Sequence, residues 1–208
     1  GTRWLNLRPL PATQIHTTKA KVVTPADLKG KKLITLAGHA TGWLVNSLGG
    51  AAVEVGPGDW YTSLERGLAE GLVVHWAAVH DFKLTELFKY HTHIGPGGLG
   101  MPGQGFIVNL KTWNSLPRDV QEIILEAYNW VHDEAVKYDQ DLITKAAKEA
   151  QQAGHEVIEL TPDQLQEWAQ AVQPYIDKWI ADTEAKGLPA RRVYEGLQEL
   201  IKQHQQAR

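Results

Sequence analysis

The longest periodic signal in the chain sets the scale of what it can fold into. Val120, Ile124, Ala127, Val131, Ala135, Tyr138, Leu142 and Ala146 recur at spacings of three and four, which lays one apolar stripe along a single helix face. Ser115-Leu116-Pro117 opens the run and Gly154 closes it, so the pattern predicts one helix over residues 118–153. At about 1.5 Å per residue such a helix is roughly 50 Å long, more than a compact lobe of a chain this size spans. A helix that outruns its lobe has to bridge two. The charged residues between 118 and 148 then form its solvated face.

Ahead of that helix, short apolar runs alternate with helical patterns. Thr24-Pro25-Ala26-Asp27-Leu28-Lys29-Gly30 supplies an N-cap, a proline at the first helical position and a glycine stop, and reads as one helical turn. Strands are expected over 32–36, 51–55 and 72–76, with helices over 38–48 and 60–68 between them. Connections of that length are too long for hairpins and favour parallel βαβ units in an α/β sheet. A short helical stretch should follow as far as Phe88, then strands over 90–94 and 104–109 separated by the Gly/Pro-rich loop 95–105. Beyond the long helix come a strand over 155–160, a helix from the Thr161 cap to about Val172, another from Pro174, and a terminal helix after Pro189.

Composition narrows the function. The 208 residues are 43% hydrophobic and 22% charged, enough to bury a core. With 21 Lys and Arg against 24 Asp and Glu, the formal charge of -3 gives no reason to expect nucleic acid. No apolar run approaches the roughly 20 residues of a membrane span, and Gly1-Thr2-Arg3-Trp4 carries no signal-peptide stretch, so any secretion signal would already have been removed. Cysteine is absent, which excludes disulfides and thiolate metal sites but leaves the compartment open.

Several segments together point to a family. Thr24-Pro-Ala-Asp-Leu-Lys-Gly-Lys-Lys-Leu33 resembles the "eDLKGlKiR" segment of the solute receptors of TRAP (tripartite ATP-independent periplasmic) transporters, and Leu48-Gly49-Gly50-Ala51 resembles the "LGa.pv" that follows it. The run Gly58-Asp59-Trp60-Tyr61-Thr62-Ser63-Leu64-Glu65-Arg66-Gly67 is similar to "gEvYtALqtG", and Glu70-Gly71 sits where the family has "vDG". Phe106-Ile107-Val108-Asn109-Leu110-Lys111-Thr112-Trp113-Asn114-Ser115-Leu116-Pro117 resembles "lvvnkk.WdsLP", again ahead of a long helix. Order and spacing agree from about Thr17 to Tyr175.

The resemblance to the DctP-like receptors implies a two-lobe α/β fold of the periplasmic-binding-protein type II kind, with the long helix bridging the lobes. It implies that a βα lobe would precede Gly1, so the chain reads as the C-terminal two-thirds of a receptor, with Trp4-Leu5-Asn6-Leu7 as the strand entering the second lobe. The expected division is 1–110 for that lobe and its hinge strands, 111–154 for the bridging helix, and 155–208 for the last strand and the packing helices. The implied function is a periplasmic receptor, not an enzyme, that needs no cofactor, captures a small organic solute and delivers it to TRAP membrane subunits. Such a fragment could also complete itself by swapping with a second copy.

In the family the usual ligand is an organic acid, held by an arginine after "DLKG" and by an asparagine after "DG". Ile34 and Val74 stand at those positions here. Burying a carboxylate without a paired charge costs several kcal/mol, so the departures favour an apolar or aromatic solute, or a carboxylate held without the usual arginine. Thr35, His39, Trp60, Tyr61, His75, Trp76 and His80 are the candidate ligand-binding residues, with Asp81 beside them, because they fall at or beyond strand C-terminal ends, where open α/β sheets carry their crevice. The solute is expected between Trp60 and Trp76, oriented by Thr35, His75 or His39, and Trp76→Ala should cost roughly 1–3 kcal/mol of binding.

Other patterns have plainer readings. Trp43 and Trp113 sit at core spacing. His91-x-His93 could place two imidazoles on a metal, yet no acidic or cysteine partner is near in sequence, and a solvated strand face is the simpler expectation. Gly95-x-Gly97-Gly98-x-Gly100 opens no helix and reads as a loop rather than a phosphate cradle. Asp27, Asp59, Asp81 and the histidines form no paired-carboxylate or Ser/His/Asp pattern. A transporter-independent ligand sensor and, further off, a cleft enzyme are the alternatives to the receptor.

Overall fold

The computed structural model describes residues 1–36 and 40–206, with side chains through residue 203. His39 and the first residues of the expected 38–48 helix lie outside the described residues. In chain order the elements are β1 (Thr2–Pro9), β2 (Gln14–Thr17), β3 (Lys32–Thr35), α1 (Ala40–Ser47), β4 (Ala51–Glu54), α2 (Trp60–Glu65), β5 (Gly71–Val74) and α3 (Trp76–Asp81). They continue as β6 (Tyr90–His93), β7 (Gly103–Asn109), α4 (Leu110–Ser115), α5 (Arg118–Gln152), β8 (Glu156–Glu159), α6 (Pro162–Glu184) and α7 (Ala190–Gln206).

Six strands form one mixed sheet in the order β4-β3-β5-β2-β6-β8. β3 is parallel to β4 and β5, β6 is parallel to β8, and β2 runs antiparallel to both β5 and β6. Every strand of this sheet except β2 therefore ends on the same edge, and β2 begins there.

Alternation sorts the apolar side chains onto two faces. Ile34, Leu72 and Val74 pack with Trp60, Trp76 and Ala146 on one side. Ile15, Leu33 and Val73 pack with Val45, Leu28 and Trp168 on the other. Both faces are covered, which explains why β5 reads as a continuous apolar run rather than an alternating one.

β1 and β7 pair antiparallel in a separate two-stranded ribbon. The long helix α5 is unbroken over its 35 residues and lies against α3, β1 and β8, tying ribbon to sheet. No described helix is long and apolar enough to cross a membrane.

Two local expectations give way, and a third element has no counterpart in the sequence pattern. The strand expected over 72–76 stops at Val74, because His75 caps α3: its Nδ1 accepts the Ala78 N–H at 3.2 Å, and Trp76 opens the helix. Hydropathy cannot separate the two, since the apolar run continues across the cap. Residues 162–184 form one helix with Pro174 inside it, not two. The Trp168 indole donates to Val23 O at 2.8 Å and the Tyr175 hydroxyl to Ser47 O at 2.6 Å, so both sides of the proline are fastened to the lobe despite the lost backbone hydrogen bond. The third is β2, whose mixed run Gln-Ile-His-Thr carries no alternation yet occupies the middle of the sheet, fully buried.

Candidate functional site

Two cavities lie side by side along the edge where the strands end, about 350 Å³ and about 530 Å³ in volume. Leu10 and Asp139 line both. The floor is the sheet edge and the roof is the end of β1 with the middle of α5. The smaller cavity is bounded by Arg8, Trp60, Val74, His75 and Tyr138, the larger by Gln14, Trp76, His93, Met101 and Glu159. Volumes of this size suit small organic molecules.

The residues expected at the ligand divide among three places. Trp60 and His75 line the smaller cavity, together with Asp81, and Trp76 lines the larger. The two indoles thus face different cavities and do not form the expected sandwich. Each is only 2% exposed, because the rest of each ring belongs to the core. Trp60 donates its N–H to Val55 O and meets Phe82 edge-on.

Thr35, Tyr61 and His80 line neither cavity. Thr35 is fully buried beneath α1, close against Gly42, and its hydroxyl has no hydrogen-bond partner among the described residues. The Tyr61 hydroxyl donates to Glu86 at 2.6 Å, which holds its pKa above the ordinary value. His80 pairs with Glu149 of α5 at 2.9 Å.

The sequence reading missed the polar centre of the crevice. Arg8 Nη1 meets Asp139 Oδ2 at 2.5 Å, and Arg8 Nη2 donates to Gln104 at 3.0 Å, so one guanidinium links β1, β7 and α5. A signal for it exists. Asp139 follows Ala135 by four and precedes Leu142 by three, placing an acid on the helix stripe where only apolar residues are expected. Its side chain is 12% exposed, and a carboxylate so placed demands a partner.

Both histidines of the His91-x-His93 pair are tied into the structure rather than solvated. His91 is fully buried, its Nδ1 lies 2.7 Å from His16 Nδ1 and its Nε2 lies 3.2 Å from His155 Nδ1. His16 Nε2 sits 3.1 Å from Val74 O, a carbonyl that can only accept, so His16 carries its proton there. The tautomers then follow in one direction: His91 donates from Nδ1 to His16, and His155 donates from Nδ1 to His91. Burial pushes His16 well below the ordinary imidazole range and His91 down to about 3, with neighbouring imidazoles adding to the effect. All three are neutral near pH 7. No group of three or more metal-ligating side chains assembles among the described residues.

His93 is fixed by a different donor. The Trp76 indole N–H points at His93 Nε2, which accepts it, and His93 Nδ1 lies 2.5 Å from Glu159 Oε1. Trp76 also stacks on His91 at 4.5 Å between centroids, so the indole couples the larger cavity to the histidine chain. In the smaller cavity burial presses the His75 pKa down, opposed by Asp139 and Asp81, while Nδ1 accepts the Ala78 N–H. Its free nitrogen Nε2 is a donor. Ile34 lies in the core at 0% exposure, and Val74 offers the smaller cavity only an apolar wall.

Comparison with known proteins identifies the family and the fold. Residues 4–182 match the DctP family, described as bacterial extracellular solute-binding protein, family 7. The C4-dicarboxylate-binding periplasmic protein DctP of Vibrio cholerae is 25% identical over 169 residues, covering 81% of this chain but 50% of its own length. The chain thus spans about half of that relative. A TRAP periplasmic solute-binding protein from Anaerococcus prevotii with bound D-glucuronate superposes with a TM-score of 0.85 at 21% identity, covering 98% of this chain and 63% of that one. One from Bordetella bronchiseptica with bound mandelate gives 0.83 at 19%, covering 98% and 64%. The fold is that of these two-lobe proteins.

Proposed function

The chain belongs to the bacterial extracellular solute-binding protein family 7, and on that premise we propose that it is the solute-capturing part of a periplasmic receptor that serves TRAP-type membrane subunits. The solute is a small organic molecule with an apolar or aromatic body. It is held in the crevice between the sheet edge and the roof formed by β1 and α5, and closure of that roof onto the sheet is the event the transporter reads.

One observation carries the ligand reading. The Arg8 guanidinium, which could fork a carboxylate, is engaged by Asp139 and Gln104, and Ile34 and Val74 offer no polar group in place of the family's anchors. A dicarboxylate entering here would face a compensated cation and apolar walls. Binding of an apolar body needs only the walls and a few oriented donors, of which His75 Nε2 is one.

Thermal-shift screening of the full-length protein against organic acids, amino acids and aromatic metabolites tests this. Aromatic solutes should raise the melting temperature, and Leu10→Trp, which puts an indole where the two cavities meet, should remove the shift. A C4-dicarboxylate that stabilises the protein most, unaffected by Leu10→Trp, would sink the reading.

A further inference from the structure

Charge along the crevice follows from its hydrogen bonds. The one guanidinium that the described lining offers, Arg8, is held by Asp139 and Gln104. The two imidazoles add nothing positive. His75 accepts at Nδ1 from a backbone N–H, and His93 accepts at Nε2 from the Trp76 indole, an arrangement that a doubly protonated ring cannot make.

The carboxylates are left in excess. Asp139 is balanced by Arg8, but among the described residues Asp81 receives only the Tyr138 hydroxyl at 3.3 Å, and Glu159 meets no Lys or Arg, only the His93 ring at 2.5 Å. Asp81 sits at the smaller cavity and Glu159 at the larger. Leu10, Pro11, Met101 and Trp76 supply apolar lining, and each cavity holds one of these two carboxylates.

We infer that the crevice takes a solute with a protonated amine joined to an apolar or aromatic body, the ammonium toward Glu159 and the body along Pro11, Met101 and Trp76. The inference rests on the crevice being the solute site and adds the sign of the ligand's charge. A cation gains from the carboxylate and from the indole rim, while an anion of equal size meets repulsion that no described side chain offsets. Glu159 is largely solvated, with 71% of its side chain exposed, so its share is a rim contribution rather than a buried ion pair.

Calorimetry on the full-length protein with three ligands of one shape decides it: 2-phenylethylamine, 2-phenylethanol and 3-phenylpropionate. The amine should bind about ten-fold more tightly than the propionate, with the alcohol between them. Glu159→Gln should weaken the amine by about two- to five-fold, leave the alcohol unchanged, and reduce the salt dependence of amine binding. Tightest binding by the propionate, or an equal loss for all three ligands in Glu159→Gln, overturns the amine assignment while keeping an aromatic solute in the crevice. Binding by none of the three overturns it as well, and the solute screen with Leu10→Trp then judges the receptor reading separately.

Discussion

The six-stranded sheet and the β1–β7 ribbon are both rich in apolar residues, but they use them in opposite ways. In the sheet, Ile15, Leu33, Ile34 and Leu72 are fully buried between helices on both faces. In the ribbon, Trp4 is 64% exposed, Leu7 63% and Ile107 56%. The ribbon is fastened to α5 at a few points: Asn6 Nδ2 donates to Tyr128 O at 3.2 Å, Phe106 packs on Tyr128, and Arg8 pairs with Asp139. On the receptor reading proposed above, the sheet edge is the floor of the crevice and this sparsely fastened ribbon belongs to its roof.

The same glycine-to-alanine change separates the two regions, and its largest effect falls in the sheet. A Cβ on Gly71 of β5 would lie 2.6 Å from His16 O and 2.7 Å from Leu33 Cδ2, and the first of these is backbone of the neighbouring strand. Neither strand can yield without opening the ladder. Gly71→Ala should destabilise by about 3 kcal/mol, the upper end of ordinary overpacking, in urea titrations followed by tryptophan fluorescence. A loss below about 1 kcal/mol would mean that the floor is as compliant as the roof.

Acid should act on the sheet next, through the β2–β6 seam. His91 titrates near 6.5 when unfolded and about 3 when folded, and His16 is lowered in the same direction. Between those values the unfolded chain binds more protons than the folded one, so stability is complete above about pH 6.5 and falls as pH drops. His91 held neutral costs about 1.4 kcal/mol per pH unit in that window, or about 2 kcal/mol by pH 5, and His16 acts in the same direction. Hydrogen exchange should show the β2 and β6 amides losing protection before those of the ribbon. A flat stability profile between pH 7 and 5 would contradict the neutral histidine chain.

How far the sequence disclosed all this depends on the kind of signal. The α5 helix was legible because its stripe repeats over many turns, and β3, β4 and β5 because punctuation isolates them. The Thr24 turn was legible because its cap is local: Asp27 Oδ2 accepts the Val23 and Thr24 N–H groups. β2 was not, since its four residues earn their place by pairing with strands more than fifty positions away in sequence. The same distance hid the site. Arg8 and Asp139 are 131 positions apart, and the partners of His91 stand at 16 and 155, so neither the ion pair nor the histidine chain has a local pattern. Of the residues expected at the ligand, those at the end of β5 meet the crevice because that edge is dictated by topology. Tyr61 and His80 miss it because each turns to a carboxylate on a neighbouring element.

Gly105→Ala, the ribbon's counterpart to Gly71→Ala, should have the smallest effect. By distance alone it looks worse, for a Cβ there would lie 2.3 Å from Trp4 Cζ3 and 2.9 Å from Cε3. Those atoms are the far side of an indole that is mostly in solvent, and two torsions can swing it aside, whereas Asn6 O, the nearest backbone atom, stands back at 3.2 Å. The ring's displacement forfeits a partial cross-strand contact worth about 0.2–1 kcal/mol. Against that, alanine recovers roughly 0.5–1 kcal/mol by restricting the unfolded chain relative to glycine. The two nearly cancel, and the urea midpoint should move by no more than about 0.5 kcal/mol equivalent while Trp4 fluorescence shifts as its surroundings change. A loss comparable to that of Gly71→Ala would show that Trp4 is clamped across the ribbon, and that the roof of the crevice is as rigid as its floor.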